Sequence, residues 1–215
     1  MVKESSSQAM PGAADRIALR PVGLDDWASV RYVHSAAFRA HAGGHFTESE
    51  CDAFTNFVRS QRYIDRLIGQ NVHAAWLDGE LIGTSGWTPA DDNGALARIT
   101  AVFVRPLFTG MGVGRRLVLN AESHARTAGF ERFSARVLVN AVGFFEKLGY
   151  DVTSHGVQTI SADQDLPITY MRKHAATDAP AEGAAKASSN VGADGAAPEG
   201  EPPPRLVSLV TPRAR

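Results

Sequence analysis

An excess of either charge is missing from this 215-residue chain: 22 lysines and arginines stand against 23 aspartates and glutamates, for a net charge of −1. Without a basic surplus no general attraction to nucleic acid is expected, and any anionic ligand must be held by local geometry. Cysteine is nearly absent. The lone Cys51 cannot form an intramolecular disulfide, which fits a reducing compartment. It lies in the apolar stripe of a helix and reads as a small buried side chain, not a nucleophile. No apolar run reaches the ~20 residues of a membrane-spanning helix. Residues 1–15, MVKESSSQAMPGAAD, lack the continuous apolar stretch of a secretory signal. The expectation is a cytoplasmic protein that engages neither membrane nor nucleic acid.

Large aliphatic side chains are scarce at both ends. Residues 1–15 are rich in Ser, Gly and Ala, and residues 175–204 hold no large aliphatic except Val191. Such segments bury too little apolar surface to offset the entropy of ordering them, so 1–15 and 175–215 read as disordered tails around a domain at 16–174. Within it, Ile17 to Val22 reads as a strand, and Asp25 caps a helix with Trp27, Val30, His34 and Phe38 on one face. Thr47 and Glu50 have capping-box spacing, with Phe46 and Cys51 as a hydrophobic staple. That second helix is expected to run through Phe54, Val58, Gln61, Ile64 and Ile68 to Gly69. Val72 to Leu77 and Leu81 to Trp87 form a hairpin about Asp78-Gly79. Ala97 to Arg105 is a third strand of this run. Gly112 to Ala128 is a helix with Val113, Leu117, Ala121 and Ala125 at i+4 steps, stopped by Gly129. Arg132 to Val139 is a strand, Ala141 to Leu148 a short helix, and two closing strands form a last hairpin. Three consecutive strands followed by a βαβ unit imply one mixed α/β sheet with helices on its faces.

The densest chemical signal lies between Val104 and Arg116, where three glycines alternate between a strand and a helix. The first N–H groups of a helix lack internal partners and carry partial positive charge, so they suit an anion. Glycine lets a phosphate approach the backbone closely, and Arg115 and Arg116 add charge. A P-loop would need Lys and Ser or Thr after Gly114, and a dinucleotide fingerprint would need G-x-G-x-x-G; neither is present. A glycine-rich turn with no ligand remains the alternative from the glycines alone.

Together with a second stretch, these residues resemble the GNAT superfamily of acetyltransferases. Val104-Arg105-Pro106 followed by Thr109-Gly110-Met111-Gly112-Val113-Gly114 matches the family's strand, V-x-P and Q/R-x-x-G-x-G/A, with Thr109 where Arg or Gln is usual. Asn140-Ala141-Val142-Gly143-Phe144-Phe145-Glu146-Lys147-Leu148-Gly149-Tyr150 matches N-A-x-x-F-Y-x-x-x-G-F/Y, with Phe145 in place of the usual Tyr. The likeness covers residues 16–174. It implies a mostly antiparallel sheet of six to seven strands, helices on both faces, and a splayed central pair of parallel strands. It also implies acetyl-CoA as cosubstrate. Val102, Phe103 and Val104 would pair with the pantetheine arm, Thr109 to Arg115 would hold the pyrophosphate, and Asn140 and Phe144 would flank the later part of the cofactor.

The implied reaction is direct transfer of acetyl from a thioester to the primary amine of a small molecule or peptide. The amine must first lose a proton, and His73 on the first hairpin strand has a suitable range; a structural or surface histidine is the other reading. The Val104 N–H would stabilise the oxyanion. Trp87 could wall the acceptor pocket or pack in the core. Arg98 could orient an anionic substrate or be an ordinary strand-end charge. Glu122 reads as solvent-facing, and Tyr150 as a packing residue. His41 and His45 lack a zinc spacing, so no metal is expected. A homodimer stays open. So do a non-catalytic acyl-CoA-binding module, because Phe145 removes the usual acid, and a preference for longer acyl chains.

Overall fold

The computed structural model describes residues 16–91, 95–161 and 163–173, so both expected tails lie outside the described residues. The strands are β1 (Ala18–Pro21), β2 (His73–Leu77), β3 (Glu80–Pro89), β4 (Leu96–Val104), β5 (Arg132–Leu138), β6 (Tyr150–Ser161) and β7 (Gln164–Lys173). The helices are α1 (Trp27–His41), α2 (Glu48–Arg59), α3 (Gln61–Ile68), α4 (Val113–Thr127) and α5 (Val142–Glu146). The strands form one seven-stranded sheet in the order β1-β2-β3-β4-β5-β7-β6. Every pairing is antiparallel except β4 with β5.

Alternation along β3 sorts the layers. Neighbouring strand residues point to opposite faces. Thr84 meets His34 of α1, and Ser85 donates to the Leu117 carbonyl of α4. So α1 and α4 lie on opposite faces of the sheet. Beneath α1, Val30, Val33 and Phe38 pack with Phe54, Phe57, Val58 and Leu67 of the next two helices. Beneath α4, Val118, Ala121 and Ala125 pack with Ile99, Phe133 and Tyr150.

Local chemistry explains most of the boundaries. The Thr47 hydroxyl accepts from the Glu50 N–H at 3.2 Å, while Glu50 accepts from the Thr47 N–H at 2.7 Å, completing the expected capping box. Asp78 and Gly79 both take positive φ, as a tight hairpin turn needs. The expected single helix after Thr47 is two. Ser60 adopts extended backbone, ends α2, and caps α3 through Tyr63 N–H. That break resets the helical phase, which buries Tyr63, Ile64 and Leu67 and leaves Ile68 60% exposed.

The decisive irregularity is in β4. Between its pairings Thr84–Phe103 and Gly86–Thr100, β4 contains one more residue than β3. Ala101 takes φ 52° inside this bulge, a conformation that costs a non-glycine residue ~1–2 kcal/mol. A buried polar chain holds it. The Thr84 hydroxyl donates to the Ala101 carbonyl at 2.6 Å. Thr84 must then accept from His34 Nε2–H at 2.7 Å, which leaves Nδ1 to accept from the Tyr63 hydroxyl at 2.5 Å. His34 is fully buried and stacks on Phe103, with ring centroids 4.1 Å apart.

Glu122 corrects an expectation. It is fully buried, because α4 turns a wide face toward both the sheet and the end of β7. Its carboxylate accepts from Tyr150 Oη at 2.9 Å and from Lys173 Nζ at 2.9 Å, and pairs with Arg126. Tyr150 packs as expected, with its hydroxyl on this carboxylate.

Burial lowers His34 from 6.5 to about 3. The folded protein therefore takes up this proton less readily than the unfolded chain. Stability from this group is complete above about pH 6.5 and falls as the pH drops toward 3. Between pH 7 and pH 5 the wild type should lose about 2 kcal/mol through His34. Urea midpoints for wild type and His34→Asn at both pH values check this, and parallel losses in the two proteins would contradict it.

Candidate functional site

The parallel strands β4 and β5 pair only from Leu96 to Ile99 and from Arg132 to Ala135. Beyond the bulge, β4 follows β3 while β5 follows β7 as far as Leu138. The two strands part, and a cleft of about 480 Å³ opens between them. In an antiparallel ladder, alternate residues turn their N–H toward the partner. Arg105 N–H donates to Ile82, so the Val104 N–H faces away from β3 and into the gap.

The loop from Thr109 to Gly112 and the start of α4 floor this cleft. Gly110 and Gly112 have φ of 85° and 77°, and a Cβ on either would meet nothing within 4 Å. The backbone there is bare toward open space, and the N-terminus of α4 has no side-chain cap. Its first N–H groups can therefore receive an anion, with Arg115 alongside. Gly114 is constrained differently: a Cβ would press on the Phe144 ring at 3.2 Å. These features fit a long ligand with a pyrophosphate.

The expected cofactor residues converge here. Val102, Phe103, Val104, Thr109, Gly110, Gly112, Val113, Gly114, Arg115, Asn140 and Phe144 all line the cleft. Met111 does not, and its side chain is 41% exposed. Asn140 also donates to the His41 carbonyl at 2.8 Å, which ties the end of α1 to the rim. His41 reaches Thr109 at 3.4 Å.

With the cleft and its loop described, comparison with known proteins is decisive. The model of the acetyltransferase (GNAT) family matches residues 30–150, more than half of the chain. The chain belongs to the GNAT acetyltransferase family. No curated protein sequence matches it. Among solved structures, it is similar to a GCN5-related N-acetyltransferase from Rhodopseudomonas palustris, with TM-score 0.65, 24% identity, and coverage of 73% of this chain and 94% of that one. It is also similar to the PaiA N-acetyltransferase of Thermoplasma acidophilum, solved in complex with coenzyme A, with TM-score 0.60, 18% identity, and coverage of 73% and 98%. A ribosomal-protein-alanine N-acetyltransferase from Brucella melitensis has TM-score 0.51, 15% identity, and coverage of 73% and 98%. At these identities the likeness is one of fold, and the seven-stranded sheet with its splayed pair is the GNAT fold.

A second cavity of about 170 Å³ lies on the other side of the splay in this GNAT chain. Phe103 and Leu138 line both cavities, so the two meet there. Arg98 and Thr100 project into the second cavity from β4, and Thr88 from β3. The Thr100 hydroxyl has no partner among the described residues.

Besides Met111, two expected site residues are not brought to either cavity. Trp87 is one position from Thr88, so the pleat turns it to the α4 face, where it packs on Phe130 at 5.5 Å. His73 stacks on His124 of α4 at 4.4 Å. Its pKa is lowered, first by burial and then by His124, against a hydrogen bond to the Asn71 carbonyl. Phe145 is also in the core, edge-on to Tyr150 at 5.2 Å. Sequence reasoning missed Tyr63, Arg66, Gln158 and Arg136, which reach the second cavity from three separate elements, α3, β6 and β5.

Proposed function

We propose that this chain is an acetyl-CoA-dependent N-acetyltransferase that moves acetyl directly from the thioester to a primary amine of a small molecule or peptide. The observation that carries this reading is the meeting of two cavities at Phe103 and Leu138. One is long and backbone-lined, the other small and lined by side chains. A donor in the first and an acceptor in the second bring their reacting ends together at one point, which supplies much of the rate advantage of such a transfer.

Bound, the cofactor supplies an acetyl thioester. The backbone of Val102 to Val104 pairs with its amide-bearing arm as a strand edge would. The N–H groups from Gly110 to Arg115 hold its pyrophosphate at the start of α4. Asn140 and Phe144 flank it from the β5 side. The Val104 N–H, already turned into the gap, donates to the oxygen where negative charge develops. No carboxylate or imidazole lines the acceptor cavity among the described residues, so the acceptor ammonium gives its proton to water. The guanidinium groups of that cavity favour the neutral amine. Phe145 offers no proton to the leaving thiolate; a thiol pKa near about 8.5 lets it depart unaided.

Purified protein should release free thiol from acetyl-CoA only when a primary amine is present, with the N-acetyl product visible by mass. Stabilisation by CoA with no release for any amine would favour a non-catalytic acyl-CoA-binding module. Faster release from longer acyl thioesters would make the chain a longer-chain acyltransferase.

The loop generates a sharper test. Asp and Asn tolerate positive φ about equally, so Gly112→Asp and Gly112→Asn share the backbone strain and differ in charge. Calorimetry should show Gly112→Asp binding CoA about 100-fold more weakly than Gly112→Asn, the order expected for a carboxylate placed against a phosphate. Equal affinities would remove the pyrophosphate from this loop.

A further inference from the structure

The acceptor cavity carries charge of one sign. Arg66 enters it from α3, Arg98 from β4 and Arg136 from β5, and no aspartate or glutamate lines it among the described residues. Arg98 is half-buried at its base, while Arg66 and Arg136 stand exposed at its rim. Several arginines elsewhere are ion-paired, among them Arg16 with Asp78, Arg20 with Asp26, Arg39 with Glu48, and Arg105 with Glu80. No ion pair forms at Arg66 or Arg98 among the described residues, and Arg136 lies over the Tyr170 ring at 5.5 Å. Partial withdrawal from water lowers the pKa of Arg66 and of Arg98, and the charge of neighbouring Arg136 lowers each further. Three guanidinium groups held together without a counter-ion destabilise one another, and an anion placed among them reverses the sign of that interaction.

We infer that the acceptor is a small amine that also bears a carboxylate, gripped by Arg98 with Arg66 and Arg136 closing over it from the rim. This rests on the acetyl-transfer reading for the direction of the amine, which then points to the junction at Phe103 and Leu138. The planar guanidinium fork matches a carboxylate in two parallel hydrogen bonds, so it fixes orientation as well as affinity. The cavity of about 170 Å³ has room for an amino-acid-sized molecule or a single peptide terminus, not for a protein surface. Gln158 and Thr88 add neutral polar contacts on its wall. In the transfer the carboxylate is a handle only. The nitrogen–carbon bond forms and the thioester carbon–sulfur bond breaks. The electron pair goes to sulfur. Nitrogen loses two protons to water, one from the ammonium before attack and one as the amide forms.

The test uses protein loaded with CoA and the unreactive dicarboxylate glutarate as probe, beside glutaramide, ethyl phosphate and putrescine. Glutarate should bind and raise the melting temperature, and glutaramide and putrescine should not. Arg98→Gln and Arg136→Gln should each weaken glutarate by at least about tenfold, the expected loss for one charge-assisted contact, while Arg16→Gln, whose partner Asp78 lies in the turn between β2 and β3, should not. Two separate variants, each with its own melting curve, guard against misfolding of either. In the activity arm, an amino acid should exceed its amide in kcat/KM by at least about tenfold in wild type, and that preference should collapse in Arg98→Gln. Equal binding of glutaramide or putrescine, or unchanged glutarate affinity in both variants, overturns the inference. Tighter binding of ethyl phosphate than of glutarate overturns the carboxylate and assigns a phosphate ester. Brisk turnover indifferent to acceptor charge sinks this inference and leaves acetyl transfer standing. Glutarate binding without turnover on any amine does the reverse.

Discussion

A buried hydrogen-bond chain, from the Tyr63 hydroxyl through His34 and Thr84 to the Ala101 carbonyl, decides where two parallel strands part. Ala101 has no conformational reason of its own to adopt φ 52°. The bulge persists because its carbonyl is satisfied by a threonine that is itself fixed by a desolvated imidazole. Each donor in the chain leaves one acceptor for the next, so a single tautomer of His34 serves it. Losing any link would strand a polar group in a core with no water to replace it. The strands are joined up to Ile99 and diverge past the bulge, and both cavities open at that divergence.

Under the proposed function, the two sides of the divergence would recognise their ligands by different physics. The donor side presents backbone: a strand edge at Val102 to Val104, bare glycines at 110 and 112, and the uncapped start of α4. Such a surface suits a large ligand of repetitive amide and phosphate character, and nearly neutral bulk charge does not weaken it. The acceptor side presents side chains delivered by α3, β4 and β5, and their charge selects. A carboxylate on the proposed acceptor would offset the repulsion among three arginines, while the same positive field would keep a nearby amine from holding its proton. In that proposal, binding and proton loss draw on one electrostatic arrangement.

Much of the donor side was legible in the sequence because it is local. Val104 to Gly114 is one continuous stretch, and Asn140 to Tyr150 another, so their resemblance to the family motifs picks out their parts, and the structure brings the glycine loop, Asn140 and Phe144 to one cleft. Local signals also located the capping box at Thr47, the turn at Asp78-Gly79 and the stop at Gly129. The acceptor side was mostly illegible because it is assembled by topology. Arg66, Arg98 and Arg136 are far apart along the chain and meet only where α3, β4 and β5 contribute to one cavity. Only Arg98 was suspected, from its place on the strand beside the expected acceptor site, with an ordinary strand-end charge as the other reading. Trp87 and His73, left open between a site role and packing, turn out to pack, because a strand can be recognised from its residues while the face each residue takes depends on its partners. Glu122 is the clearest case. Its burial depends on Tyr150 and Lys173, and nothing within α4 announces either.

The central claim is that the gap between β4 and β5 receives acetyl-CoA along its backbone. Hydrogen exchange read by mass spectrometry, with and without saturating CoA, tests it most directly, because the contacts at issue are made by amide N–H groups. The account predicts slowed exchange concentrated in residues 102–104, 110–115 and 138–144, with β1, β2 and α2 unaffected. CoA binding that leaves those segments unprotected, or protects a different part of the sheet, would contradict it.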